Sequence, residues 1–240
     1  MKKILGSMRR AAERFDMIND GDKIAVGVSG GKDSMLLLYA MWLYRKYMKV
    51  DYELMAITVD LGFGGFDTEP LRQFIEGLGI PYFVERTQIG EVVFDIRKEK
   101  NPCALCSKMR KGALYEAAKR QGANKAAFAH HRDDLFETLM LGLFYEGKMN
   151  VFSPVTYMSR TDITLIRPFI FVSEKDIISE SKKLGVPVIK NPCPVDGVTK
   201  RTEMRELIEW VTKKNPHAKE SLMAAISNTQ NYNLWDKFDK

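Results

Sequence analysis

Ser29, Gly30, Gly31, Lys32, Asp33 and Ser34 lie between two apolar runs, Ile24-Ala25-Val26-Gly27-Val28 and Met35-Leu36-Leu37-Leu38-Tyr39. The first run reads as a buried strand, and the second starts a helix whose first turn contains Asp33 and Ser34. Adjacent glycines let backbone approach a ligand. The N–H groups at the helix start, with the positive end of its dipole, then face an anion. Lys32 and the hydroxyls of Ser29 and Ser34 can add contacts, so the loop suits two linked phosphates and points to an ATP-using enzyme. A plain connecting turn is the alternative; six matching residues between a strand and a helix weigh against it.

A second group is the thiols. The chain has three cysteines. Cys103-Ala104-Leu105-Cys106 follows Asn101-Pro102 and opens a basic helix, and Cys193 stands in Asn191-Pro192-Cys193-Pro194. Structural cysteines are found more often inside apolar elements than in such Pro-marked loops, so these thiols read as a site. Three chemistries are weighed. A redox CxxC leaves Cys193 idle, and a closed zinc site wants four ligands. Three thiolates on a four-iron cluster leave one iron open for a small ligand such as hydrosulfide.

The third group is His130-His131-Arg132-Asp133-Asp134 with Glu137-Thr138. Asp134 and Glu137, three apart, share a helix face. Carboxylates beside a pyrophosphate suit a Mg²⁺ that keeps several waters, and Asp134 is the candidate ligand. Helix capping is the other reading, and for Asp133 both stand. The histidines are open among metal ligands, nucleotide contacts and core groups, with His130 carried as a nucleotide-contact candidate.

These groups need elements to position them. Leu54 to Val59 reads as a second buried strand ending at Asp60 and a glycine-rich stretch. Leu71 to Leu78 reads as a helix, Tyr82 to Val84 as a strand, Met109 to Arg120 as a helix, Lys125 to Ala129 as a strand and Asp133 to Phe144 as an apolar helix. Thr164 to Pro168 is another strand, and Ser173-Glu174-Lys175-Asp176 opens a helix to Leu184 as a capping box. Helices over 200–214 and 218–228 follow. Strands alternating with helices argue for an α/β fold with a doubly wound parallel sheet, with Asp60 and the phosphate loop at its binding edge.

With 240 residues, 45% of them hydrophobic, and no apolar run able to span a bilayer, one soluble domain, alone or with a small appendage, and no membrane role are expected. Met1-Lys2-Lys3 leads into a mixed helix rather than a secretory signal, so the expected location is cytoplasmic. A formal charge of +6 permits nucleic-acid binding.

The loop is not a Walker A motif, since Val26 and Asp33 stand where glycine and Ser or Thr would be needed, and no GxGxxG follows the strand. It resembles the PP-loop of the ATP pyrophosphatase superfamily. The wider pattern resembles the tRNA 2-thiocytidine synthetase family, TtcA, from about Met8 to Asn228. The residues that carry it are 17–22, Ser29 to Ser34, Cys103-Ala104-Leu105-Cys106, 110–115, His130 to Thr138, Ile166-Arg167-Pro168 and Pro192-Cys193.

The resemblance implies a HUP-type fold of the adenine nucleotide alpha hydrolase kind, as a single PP-loop ATPase domain over 1–240. Its N-terminal helix would cover about 1–20 and its C-terminal helical region about 200–240. It implies ATP and Mg²⁺, with Ser29, Gly30, Gly31, Lys32, Asp33 and Ser34 on the phosphates, Asp60 near the nucleotide and Asp134 near Mg²⁺. It further implies a [4Fe-4S] cluster on Cys103, Cys106 and Cys193, these with Asp33 and Asp134 forming the catalytic set. The C2 oxygen of an anticodon-loop cytidine would be adenylated and then replaced by sulfur from a cysteine desulfurase or another sulfide donor. A homodimer is compatible with this scheme.

The chain departs from the family at Ala129, where glycine is expected, and at Asp196, where many members carry a further cysteine. Cys193-Pro194 is similar to the 2-thiouridine enzymes of the TtuA type, although no cysteines remain for TtuA-like zinc fingers. The alternatives are a TtuA-like thiolase, a lysidine-synthetase-like ligase without a cluster, and a non-catalytic nucleotide-binding iron–sulfur sensor. Lys108, Arg110 and Lys111, with Lys200, Arg201 and Arg205, flank the cysteines and are the candidate tRNA phosphate contacts.

Overall fold

The computed structural model describes residues 1–98, 102–189, 192–193, 200–228 and 230. Asn101, Asn191, Pro194 and Asp196 lie outside them. The described chain forms two compact units, 1–132 with 153–196 and 133–152 with 197–240.

The first unit holds the sheet. Its strands are β1 (Lys23–Gly27), β2 (Glu53–Asp60), β3 (Tyr82–Arg86), β4 (Lys125–Ala127), β5 (Val155–Met158) and β6 (Ile163–Ile166), ordered β3-β2-β1-β4-β6-β5. All neighbours are parallel except β5, which pairs antiparallel with β6 from Val155 opposite Ile166 to Met158 opposite Ile163. The doubly wound sheet is therefore present, with an antiparallel edge strand that the sequence reading did not include. Val155-Thr156-Tyr157-Met158 lacks a buried face, and such an edge strand gives no apolar run to recognise.

Strand side chains alternate between faces. Ala25, Met55, Ile57, Ala126 and Leu165 join a core with Leu114, Tyr115 and Ala118 of α5 (Pro102–Arg120). Ile24, Val26, Leu54 and Ala56 have the opposite parity, and α2 (Lys32–Met48) packs on β1 and on α7 (Glu174–Leu184). The remaining helices of this unit are α1 (Lys2–Arg14), α3 (Glu69–Gly77) and α4 (Ile89–Glu91), which runs on as a π-helical turn over Val92–Ile96. As the sequence indicates, Ser173 caps α7, its side chain accepting from the Asp176 N–H at 3.2 Å.

The second unit contains α6 from its second residue onward (Arg132–Leu141 in full), a π-helical turn Gly142–Glu146, α8 (Lys200–Lys214) and α9 (Ala218–Ser227). Among the described residues no helix is long and apolar enough to cross a membrane.

Strand order reverses direction between β1 and β4, so the crevice at their carboxyl ends is where an open α/β sheet binds ligands. The residues leaving β1 are Val28 to Gly31. Those leaving β4 are Phe128 to His131.

Candidate phosphate loop and thiol site

The phosphate loop is built from β1 outward. The Val28 N–H donates to the Ile57 carbonyl at 2.8 Å, and the Val28 carbonyl accepts from the Thr58 hydroxyl at 2.8 Å, which in turn accepts from the Tyr82 hydroxyl at 2.9 Å. This buried hydroxyl chain fixes the loop's departure point. Gly30 then takes φ +82, the left-handed conformation that glycine adopts without strain. Its carbonyl accepts from the Ile189 N–H at 2.9 Å, and a side chain at Gly30 would meet the Ile189 Cβ at 3.3 Å. The stretch leading to Cys193 is thus bonded directly to the phosphate loop.

Gly31 is the N-cap of α2. The first N–H groups of a helix have no carbonyl one turn earlier, which leaves those of Lys32, Asp33 and Ser34 disposed toward an anion. Ser34 is buried. Its hydroxyl donates to the Gly31 carbonyl at 3.0 Å and accepts from the Ser29 N–H at 3.1 Å, bracing the loop from within. The Ser29 hydroxyl lies 3.2 Å from that of Ser34 and accepts from the Gly31 N–H at 3.4 Å.

Lys32 is the cation of the loop. Its ammonium lies 3.1 Å from Asp33 and 3.2 Å from Glu174 at the start of α7. Burial pulls its pKa down, but the two carboxylates outweigh burial and hold it above the ordinary lysine value. Glu174 is a partner that no local motif indicates, because it comes from a helix far along the chain. Asp60 ends β2, where its carboxylate accepts from the Gly62 N–H at 3.0 Å and its carbonyl from the Thr87 hydroxyl at 2.7 Å. His130 is half-buried, its ring 5.8 Å from that of Phe128, which stacks on Tyr115 at 6.0 Å; His131 is buried.

The thiols sit otherwise than a loop reading suggests. α5 begins at Pro102, so Cys103 and Cys106 occupy its first turns, three residues apart on one helix side. Proline is well suited to a first helical position because its missing N–H would have no partner there. Cys103 is exposed, Cys106 and Cys193 are half-buried, and none is in a disulfide. Burial pushes the Cys106 thiol up, Arg110 pulls it down, and Cys193 and Cys103 push it up further, so both of those sulfurs lie within electrostatic reach of Cys106. Leu105, Cys106 and Met109 pack against the core under the sheet.

Among the described residues no three His, Cys, Asp or Glu side chains are close enough to hold a single metal ion. A four-iron cube holds its thiolates farther apart than one ion does. Three cysteines outside any disulfide, with Arg110 acting on Cys106, are a donor set of the kind a cluster takes and fall one short of the four ligands of a closed zinc site.

Beside Gly27, α5 meets β1 closely: a Cβ there would lie 2.8 Å from Leu114 Cδ1 and 3.0 Å from Phe128 Cε1.

In the second unit the acids of α6 are engaged. Asp133 is paired with Lys219 of α9 at 2.5 Å, and buried Glu137 with Arg205 at 2.9 Å and Arg201 at 3.5 Å, both of α8. The ion pair of Asp133 with Lys219 is a third role, which neither the metal reading nor the capping reading included. Arg201 and Arg205, expected as phosphate contacts, hold a buried carboxylate. Asp134 is half-buried in the first turn of α6, its carbonyl accepting from the Thr138 hydroxyl at 2.7 Å. Lys108, Arg110, Lys111 and Lys200 are exposed.

The PP-loop domain family matches residues 5–210. The tRNA-cytidine(32) 2-sulfurtransferase of Citrifermentans bemidjiense is 36% identical over 238 residues, covering 98% of this chain and 93% of the relative. That of Geotalea daltonii is 37% identical over 239 residues, covering 98% and 95%. Among solved structures, the U34-tRNA thiolase NcsA of Methanococcus maripaludis with its [4Fe-4S] cluster shares the fold at TM-score 0.75 and 22% identity, covering 98% of this chain and 80% of that one.

Proposed function

This chain belongs to the PP-loop domain family and, within it, to the family of the tRNA-cytidine(32) 2-sulfurtransferases, and from that premise we propose that it replaces the C2 oxygen of a tRNA cytidine with sulfur at the expense of ATP. The PP-loop domain implies ATP binding. The observation that carries the rest is that Cys103 and Cys193 both act on Cys106 in the unit that carries the phosphate loop, and that Ile189, four residues before Cys193, is bonded to Gly30.

In this reading the N–H groups of Lys32 to Ser34 and the ammonium of Lys32 bind the phosphates of ATP, with Ser29, Gly30 and Gly31 shaping the loop around them. The C2 oxygen of the base attacks the α-phosphorus and pyrophosphate leaves, taking the electron pair of the broken P–O bond. Sulfide then adds to C2, and AMP leaves with the former carbonyl oxygen. Oxygen alone is a poor leaving group from that ring carbon, and adenylation corrects this.

Lys32 offsets charge on the departing pyrophosphate, while Ser34 keeps the loop in shape and Glu174 with Asp33 keeps Lys32 protonated. Asp60 and His130 line the nucleotide side, and Asp134 would be the carboxylate for a Mg²⁺, which would supply charge to offset that of the phosphates. Cys103, Cys106 and Cys193 would hold a [4Fe-4S] cluster, which when bound supplies an open iron able to take a hydrosulfide. Arg110 steadies the thiolate form of Cys106. A sulfide-donating protein and tRNA are the partners.

The test is anaerobic iron reconstitution, incubation with tRNA, ATP and sulfide, and mass spectrometry of the released nucleosides. 2-Thiocytidine is expected. 2-Thiouridine would move the chain to the uridine enzymes, and tRNA-dependent AMP formation without a thionucleoside would leave only a ligase.

A further inference from the structure

Residues 142–149 form a closed turn that exposes large apolar side chains. Phe144 is 61% exposed, Met149 46% and Leu143 41%. Their exposure is built in. The Lys148 N–H donates to the Gly142 carbonyl at 2.8 Å, a Cβ on Gly142 would lie 2.6 Å from the Lys148 carbonyl oxygen, and Gly147 ends the turn at φ +62. The backbone from Gly142 to Glu146 is π-helical, a local cost that proteins tend to retain where it serves a function.

Tyr145 is fixed beside Phe144. Its hydroxyl donates to Glu203 at 2.5 Å, and the Lys200 ammonium lies 4.1 Å from its ring centroid. Lys148, in the turn itself, is exposed with its ammonium 4.0 Å from Glu146, and Lys200 is exposed beside Tyr145. A protein-binding patch is usually depleted of lysine at its centre. Aromatic rings interleaved with ammonium groups instead suit unpaired bases on a phosphate backbone, since every base has a face to stack and every link a charge.

We propose that this turn is a stacking platform for unpaired bases of the RNA substrate, with Phe144 as the stacking ring and Lys200 as its phosphate contact. The proposal rests on the tRNA reading above. It assigns RNA contact to the turn rather than to Arg201 and Arg205, which are occupied by Glu137.

The test is tRNA affinity of the full chain across a sodium chloride series. Phe144→Ala should weaken binding about 5- to 150-fold at every salt concentration without changing the slope of log affinity against log salt. Phe144→Trp should restore it and Phe144→Leu should not. Lys200→Ala should reduce the slope by about one. Wild-type affinity in Phe144→Ala would overturn the platform while leaving the tRNA reading intact. Absence of tRNA binding by the wild-type chain would overturn the reading beneath it. A wild-type dimer that Phe144→Ala converts to a monomer with unchanged tRNA affinity would assign the turn to a second copy of this chain and overturn the proposal.

Discussion

The two edges of the sheet are made of the same strands and treat polar groups in opposite ways. At the amino edge, Asp22 is buried and accepts from Lys125 at 2.7 Å, from Asn124 at 2.8 Å and from the Asn19 N–H at 2.7 Å, while Lys125 also donates to the Met17 carbonyl at 3.0 Å. Every group there answers another. At the carboxyl edge, Lys32 is held by Asp33 and Glu174, carboxylates that a phosphate can replace, the first N–H groups of α2 have no helical acceptor, and none of the three cysteines is in a disulfide. Closure gives stability, and incompleteness gives a place for a ligand.

The largest effects should separate these edges. Cys103→Ala, Cys106→Ala and Cys193→Ala should each abolish thiolation and lower bound iron while ATP affinity stays within about twofold, as for side chains that share no partner with the loop. Lys32→Ala should reverse the pattern, with ATP use reduced about a hundredfold or more and iron retained. Iron loss in Lys32→Ala would break the division of labour at the carboxyl edge.

Next in size is Asp22→Ala at the amino edge. Leaving Lys125 buried without its carboxylate should cost about 3–5 kcal/mol in urea unfolding, with specific activity of the folded fraction unchanged. An activity loss without a stability loss would contradict the comparison.

Gly27→Ala should cost about 1–3 kcal/mol, because its methyl meets Leu114 and Phe128. Combining it with Leu114→Ala should recover part of that loss in thermal unfolding, and a purely additive double variant would show that the contact is not the cause.

The smallest effect concerns pH. Lys32 has a raised pKa, so its charge and any stability linked to it are complete below the unfolded value near 10.5 and disappear as pH rises through the folded value. ATP affinity is therefore expected to stay flat from about pH 7 to 9 on this residue's account. Glu174→Gln should bring the alkaline fall to lower pH, and an identical profile would remove Glu174 from the role of positioning Lys32.

The sequence makes the phosphate loop legible because its chemistry is contiguous: glycines, lysine and serines stand together between two apolar runs. The strands β1, β2 and β4 are legible for the same local reason. Glu174, Ile189 and the Thr58–Tyr82 hydroxyl chain are not, since each reaches the loop from another element and leaves no spacing to read. The start of α5 is misplaced by the usual weight given to proline as a breaker, when Pro102 is an initiator. The charges on α8 read as a free basic face because nothing local reveals that Glu137, on another helix, is buried and needs them.

The bond between Gly30 and Ile189 also bears on the order in which the protein comes into being. Gly30 emerges early in synthesis, yet its carbonyl finds its partner only when residue 189 has been made, and contacts so distant in sequence form late. Cys193 arrives on that same stretch. The last bond to the phosphate loop and the third thiol are therefore delivered by one segment, so a chain released before residue 189 lacks both.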